Sequence, residues 1–247
     1  MLDALSLLFV AVLGPFVTAA ATPLAARWLG DRVGYLAAAA AAVSLGAVAL
    51  LWTGGAPMAG VHGVTWFDAP GLGYGVSLSF LVDGLSLLMA GLVAAVGVLV
   101  MVYGRGYMAG EDHVGRFFAY LLAFMGAMMG LVLANDLIAL FVFWELTSLT
   151  SFLLIGFHRD RPLSVLAARK SLLITVAGGL AMLAGVVLLG RIADTFSIAA
   201  LIAAPPSGDP LTWTALALIG VGVATKSAQV PFHVWLPDAM EAPTPVS

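Results

Sequence analysis

Along most of this chain apolar residues run on every face, and polar positions gather in short clusters between the runs. A bilayer-crossing helix needs ~20 predominantly apolar residues. Seven stretches meet that length: residues 4–26, 33–53, 80–103, 115–134, 137–157, 167–190 and 211–230. None carries the continuous polar stripe of a helix that faces water on one side. The pattern predicts an all-α fold, a polytopic membrane helix bundle of about seven transmembrane helices.

Two of the intervening segments have a pattern of their own. In the long second one, 54–79, "VTWFDAPGLGYGVSLSF" predicts two short strands around a Pro-Gly turn, a small outer β-hairpin between helices two and three. In the sixth, "FSIAALIAA" predicts a short helix lying in the membrane interface.

Composition agrees with the pattern. Hydrophobic residues make up 62% of the chain, mean hydropathy is +1.08 and only 9% of residues are charged, against about a quarter in soluble domains. The absence of cysteine excludes disulfides, thiolate metal sites, cysteine-ligated iron–sulfur clusters and cysteine nucleophiles. No motif for NAD or flavin stands in the sequence, so no cofactor, no resident metal and no nucleic-acid partner are expected. The opening "MLDALSLLF" lacks the basic segment of a cleaved export signal, and the first apolar run reads as a retained span.

Charge then orients the bundle. Around the connections after spans one, three and five stand Arg27, Arg32, Arg105, Arg116, Arg159, Arg161, Arg169 and Lys170; those after spans two, four and six hold Arg191 alone. Basic residues concentrate on the cytoplasmic side. The expectation is a multi-pass protein of the cell inner (plasma) membrane with its N-terminus outside the cytoplasm.

Two charges fall inside spans. In "LFVFWELTSLTSFLLIGF" (140–157) Glu145 is the one residue that is neither apolar nor merely hydroxyl-bearing. It lies about 13 Å into the fifth span at 1.5 Å per residue. Lys226 lies about 22 Å into the seventh, entering from the same side. Intramembrane ionisable groups are costly and by default functional. An opposite pair relieves both desolvation penalties, either as a static helix-to-helix clamp or as a pair through which protons pass, since a buried lysine can take up and release a proton.

The neighbours favour passage. Ser148 shares the face of Glu145, three residues on. Thr147, Thr150 and Ser151 fall elsewhere and suit bonds to carbonyls or a neighbouring helix. Pro231 and Pro237 follow Lys226, and proline cannot continue a helical ladder. The seventh helix is therefore expected to be interrupted near Pro231, and interrupted helices at membrane depth line hydrated cavities. His233 and Asp238 can extend a polar path beyond the break. Lys170 is a candidate cytoplasmic mouth or a snorkelling lysine. Asp83 marks the outer interface, Asp136 is a helix N-cap, and Met125, Met128 and Met129 are packing residues.

The stretches "FWELTSLTSFLLIGF", "RKSLLITVAGGLAMLAGVVLL" and "ATKSAQVPFHVWLPDAMEAPTPVS", with "WFDAPGLGYGVSLSFLVDGLSLL", resemble the antiporter-like subunits shared by respiratory complex I and Mrp-type multisubunit Na⁺/H⁺ antiporters. The sixth-helix "ITVAGG" (174–179) is similar to the A subunit of Mrp antiporters rather than to the large complex I relative. The resemblance implies that Glu145 and Lys226 belong to a proton-translocating half-channel and that the seventh helix is broken. It implies an N-terminal three-helix segment with the outer hairpin (1–110) and an incomplete first antiporter-like repeat (111–247, helices four to seven). It implies an N-terminal part of a protein about twice this length, built from two inverted repeats. The partners implied are other membrane subunits of an antiporter complex, with H⁺ and Na⁺ as the ions and the lipid bilayer as solvent. A proton-pumping subunit of complex I or of a membrane-bound hydrogenase is the alternative, and a structural scaffold with a static ion pair is the second.

Overall fold

The computed structural model describes residues 3–54, 58–69 and 74–247. Eight α-helices and one hairpin are defined among them: α1 Ala4–Leu29, α2 Val33–Thr53, β1 Gly60–Ala69, β2 Tyr74–Val82, α3 Gly84–Tyr107, α4 Val114–Leu133, α5 Leu137–Ile155, α6 Pro162–Ala193, α7 Ile198–Ala203 and α8 Pro210–Lys226. Two 3₁₀ turns follow, Phe232–Trp235 and Asp238–Glu241.

Polar residues at the ends of the apolar runs start the helices. Asp83 and Ser86 form a reciprocal capping box ahead of α3, which satisfies N–H groups that have no partner inside the helix. Proline at the first position opens both α6 and α8, where its missing N–H costs nothing. Ahead of α8 the Asp209 carboxylate accepts the Thr212 N–H at 2.8 Å, and that bond holds its carboxyl below the usual carboxylate range.

Five helical stretches are long and apolar enough to cross a membrane. The first, Ala4–Thr53, runs to 50 residues, about twice what one crossing needs. The 3₁₀ turn Gly30–Arg32 divides it into α1 and α2, which pack side by side. The turn opens at Gly30 with φ +53°, a conformation that costs glycine little. Helix α8 is apolar but has 17 residues, about 26 Å of helix. It ends at Lys226, four residues short of the expected limit at 230. Proline at 231 accounts for this, because its ring collides with the carbonyl of residue 227 in a helix and so ends helical geometry before it.

Helix α4 sits at the centre, packed against α1, α2, α3 and α5. Phe117, Phe118, Leu122, Met129 and Leu133 on it are fully buried against Leu8, Leu51 and Phe80. Met125 is buried in the same core. Outward faces remain apolar, with Val17, Leu99 and Leu173 about seven-tenths exposed, as a lipid-facing surface requires. Helices α5, α6 and α8 form a second layer, with α8 lying along α6.

The strands pair antiparallel, from Gly60 opposite Val82 to Ala69 opposite Tyr74, with an irregularity between Thr65 and Phe67. The Pro-Gly turn expected between them, at Pro70 and Gly71, lies outside the described residues. A polar knot ties the hairpin to the bundle. Asp136 accepts the Ile138 and Ala139 N–H groups through Oδ1, capping α5, and the Ser77 N–H and hydroxyl through Oδ2. Asn135 donates through Nδ2 to Ser79 and Ser197, and its Oδ1 accepts the Ala199 N–H at the start of α7. The short helix expected in "FSIAALIAA" is α7.

Candidate functional site

Helix α5 brings the acid. From its cap at Asp136 it carries Trp144, Glu145 and Ser148 to mid-length. Glu145 is partly buried, and its Oε1 is fully enclosed with no hydrogen-bond partner among the described residues. That oxygen lies against Gly179 of α6, where any side chain carbon would collide with it. The neighbouring Gly178 points instead toward α8 and accommodates the buried Thr225. Consecutive helical positions diverge by about 100°, so one glycine pair serves two neighbouring helices.

Helix α8 brings the base. Its close packing on α6 rests on Gly185 and Gly222, which leave room for Ala215 O and for Met182. Lys226, its last residue, crosses to α5 and donates through Nζ to the Trp144 carbonyl at 2.9 Å and to Ser148 Oγ at 2.6 Å. The ammonium also stands 5.2 Å from the centroid of the Trp144 ring, within the range of cation–π attraction. Glu145 and Lys226, expected as an opposite pair that either clamps two helices or passes protons, do not bond each other directly in this geometry. Among the described residues the ion pair formed is Lys170–Asp238, and Lys226 is bonded to groups one residue before and three after Glu145. The carboxylate turns toward the gap at Gly179, while the lysine emerges from α8 beside the Trp144 turn.

Of the three hydroxyls expected to bond carbonyls or a neighbouring helix, Thr147 and Thr150 do so, and Ser151 makes no side-chain hydrogen bond among the described residues. Thr147 Oγ1 donates to the Trp144 carbonyl at 2.7 Å and Thr150 Oγ1 to the Leu146 carbonyl at 2.7 Å. Ser148 is the one that reaches across to another helix.

Beyond Lys226 the chain leaves helical geometry, with Ala228 at φ +52°. Trp235 turns back to cap the broken end, its Nε1–H donating to the Thr225 carbonyl at 3.0 Å. The two 3₁₀ turns then follow the N-terminal half of α6, where Ala239 and Ala242 pack with Ala167, Ala168 and Ile155. Lys170 Nζ meets Asp238 Oδ2 at 2.8 Å, so α6 is tied to the segment after the break. His233 is exposed, apart from both charged groups, with no side-chain hydrogen bond among the described residues. Residue patterns thus located Glu145, Ser148, Lys226, Lys170 and Asp238, but not Gly178, Gly179, Trp144, Thr225 or Trp235. Only the doubled glycine in "ITVAGG" offered a signal.

A broken apolar helix beside a helix-borne acid, in a bundle of lipid-facing helices, defines a polytopic membrane protein with charged groups set among its apolar helices. Residues 134–247 match the family described as NADH:quinone oxidoreductase/Mrp antiporter, TM, and residues 66–118 match NADH-Ubiquinone oxidoreductase (complex I), chain 5 N-terminus. The chain belongs to this family of antiporter-like subunits and corresponds within it to the N-terminal part of the Mrp-type A subunit. It is 50% identical over 175 residues to the A1 subunit of a Na⁺/H⁺ antiporter from Staphylococcus haemolyticus, and 49% identical over 176 residues to its counterpart from Staphylococcus aureus. Each match takes in 70% of this chain and 22% of the relative. The chain therefore spans under a third of those relatives' length, which are longer than the twofold the resemblance implied. The structure of the Mrp complex from a Dietzia species superposes with a TM-score of 0.85 at 37% identity, over 97% of this chain and 26% of that one. The membrane-bound sulfane sulfur reductase, an archaeal respiratory membrane complex, shares the fold with a TM-score of 0.81 at 18% identity, over 97% of this chain and 48% of that one.

Proposed function

We propose that this chain is a proton-translocating part of a multisubunit monovalent cation (Na⁺)/H⁺ antiporter of the plasma membrane, in which Glu145 and Lys226 relay protons and other membrane subunits complete the exchange. The observation that carries this reading is the seating of Lys226: a lysine at the end of a broken helix, held through Ser148 Oγ and the Trp144 carbonyl on the helix that bears the acid.

The chemistry follows from what each group can exchange. Ser148 Oγ accepts from the ammonium while its own hydrogen turns to the Trp144 carbonyl at 3.4 Å, so it anchors the charged lysine and does not carry the proton onward. The proton leaves Nζ when the lysine turns off these anchors toward the acid. The carboxylate of Glu145 takes that proton and gives it back on the return step. The Lys170–Asp238 pair stands at the far end of the broken segment, where protons would pass to or from the cytoplasmic side. Names of the relatives support Na⁺ as the partner ion.

The test uses the whole antiporter complex in inverted membrane vesicles. Glu145→Gln, which keeps the shape and removes the titrating group, is expected to assemble and to abolish Na⁺-driven H⁺ exchange. Exchange at the normal rate by the assembled variant sinks the relay. If proton movement instead requires an electron donor and quinone, the chain serves a redox-linked pump.

A further inference from the structure

We propose that Gly179 of α6 is a positioning residue for Glu145, its missing side chain forming the seat that fixes where the acid's enclosed oxygen stands. This deepens the relay reading and rests on it.

The argument begins with what a methyl group would meet. At Gly178 it would overlap the Oγ1, Cβ and Cγ2 atoms of Thr225, a buried residue on the helix turn that carries Lys226. Such a β-branched side chain has little rotamer freedom, so α6 and α8 would have to separate. At Gly179 the collision is of another kind. The first atom met is Glu145 Oε1, at the tip of a flexible side chain. The carboxylate can swing away while the helices stay where they are. Glycine within a helix carries an entropic penalty relative to alanine, so alanine would be the better helix former if packing alone mattered. The structure gives up that difference for a gap whose occupant is a single carboxylate oxygen, one that takes no hydrogen bond from the described residues. Misplacing a reacting group by about 1 Å can slow a reaction by about a hundredfold, and a methyl group moves this one by at least that much.

The experiment compares variants of the assembled complex in inverted vesicles, alongside the rate at which dicyclohexylcarbodiimide labels the residue-145 carboxyl, read by mass spectrometry. Gly179→Ala is expected to assemble, to exchange at least about tenfold more slowly, and to label at an altered rate. Glu145→Asp, whose carboxylate is drawn back by one methylene, is expected to be slower than the native chain. Combined with Gly179→Ala it is expected to exchange at least as fast as Gly179→Ala alone, so that the preference for Glu over Asp is lost when the seat is filled. A role in helix packing alone would not produce that reversal. If Gly179→Ala does not assemble, Glu145→Ala in the same chain should restore assembly, and failure to restore it overturns the seat. Normal exchange and labelling by Gly179→Ala while Glu145→Gln is dead overturns the seat and leaves the relay standing. Normal exchange by Glu145→Gln removes the relay, and a slow Gly179→Ala would then speak against the seat as well.

Discussion

The ammonium of Lys226 is satisfied by a backbone carbonyl and a hydroxyl, neither of which carries a formal charge. An anchored cation of this kind can be loaded and unloaded without breaking an ion pair, which in a poorly hydrated setting would strongly resist separation. Arginine at this position keeps the charge and cannot give up its proton. Lys226→Arg is therefore expected to assemble but to lose exchange, measured as Na⁺-driven H⁺ movement in inverted vesicles; an active variant would favour a static clamp. Both Glu145 and Lys226 were legible in the sequence, because a charge in hydrocarbon is too costly to be incidental. Their partners were not. Which carbonyl accepts from Nζ depends on where the end of α8 meets α5, and no local pattern encodes that. Nor does a helical glycine disclose whether it admits a neighbouring helix, as Gly178 does for Thr225, or the tip of an acid, as Gly179 does.

At the scale of elements, Asp136 does more than its cap position suggested. It was legible as the residue that starts α5, yet its second oxygen holds Ser77 of β2. Alanine there forfeits the cap and strands buried N–H groups, at a cost of about 2 kcal/mol or more. Asp136→Ala is expected to lower the thermal unfolding midpoint of the detergent-solubilised complex. Asp136→Asn should fall between, since one acceptor oxygen remains for the cap while the amide meets Ser77 with a donor. The Lys170–Asp238 pair contributes less to stability, being 39% and 46% exposed, where ion pairs are worth little. Its place between α6 and the segment after α8 matters more for where that segment lies.

Over the whole molecule, the hairpin, the α4–α5 connection and α7 share one end, joined through Asn135 and Asp136. The opposite end gathers the α1–α2, α3–α4 and α5–α6 connections, with the Gly110 N–H bonded to Asp31, Arg116 to the Phe157 carbonyl and Arg159 to Tyr120. The basic excess lies at this second end. We propose that it faces the cytoplasm, by the bias of positive charge. Because the chain has no cysteine, single introduced thiols can test this. A membrane-impermeant maleimide is expected to label Ser207→Cys in intact cells and Asp160→Cys only after permeabilisation; the reverse pattern would invert the topology.

Local sequence was enough to determine the helical membrane class, the approximate spans, the hairpin, the break after Lys226 and the two intramembrane charges. Each of these follows from forces that act along the chain: burial of backbone polar groups in lipid, the missing N–H of proline, capping, and the cost of an isolated charge. Only tertiary packing decided that Lys226 bonds Ser148 and the Trp144 carbonyl, that Lys170 meets Asp238 while His233 stays outside, and that α6 meets the acid with a glycine. Those outcomes depend on the rotation and depth at which α5, α6 and α8 come together, and the shapes of all three surfaces set that jointly.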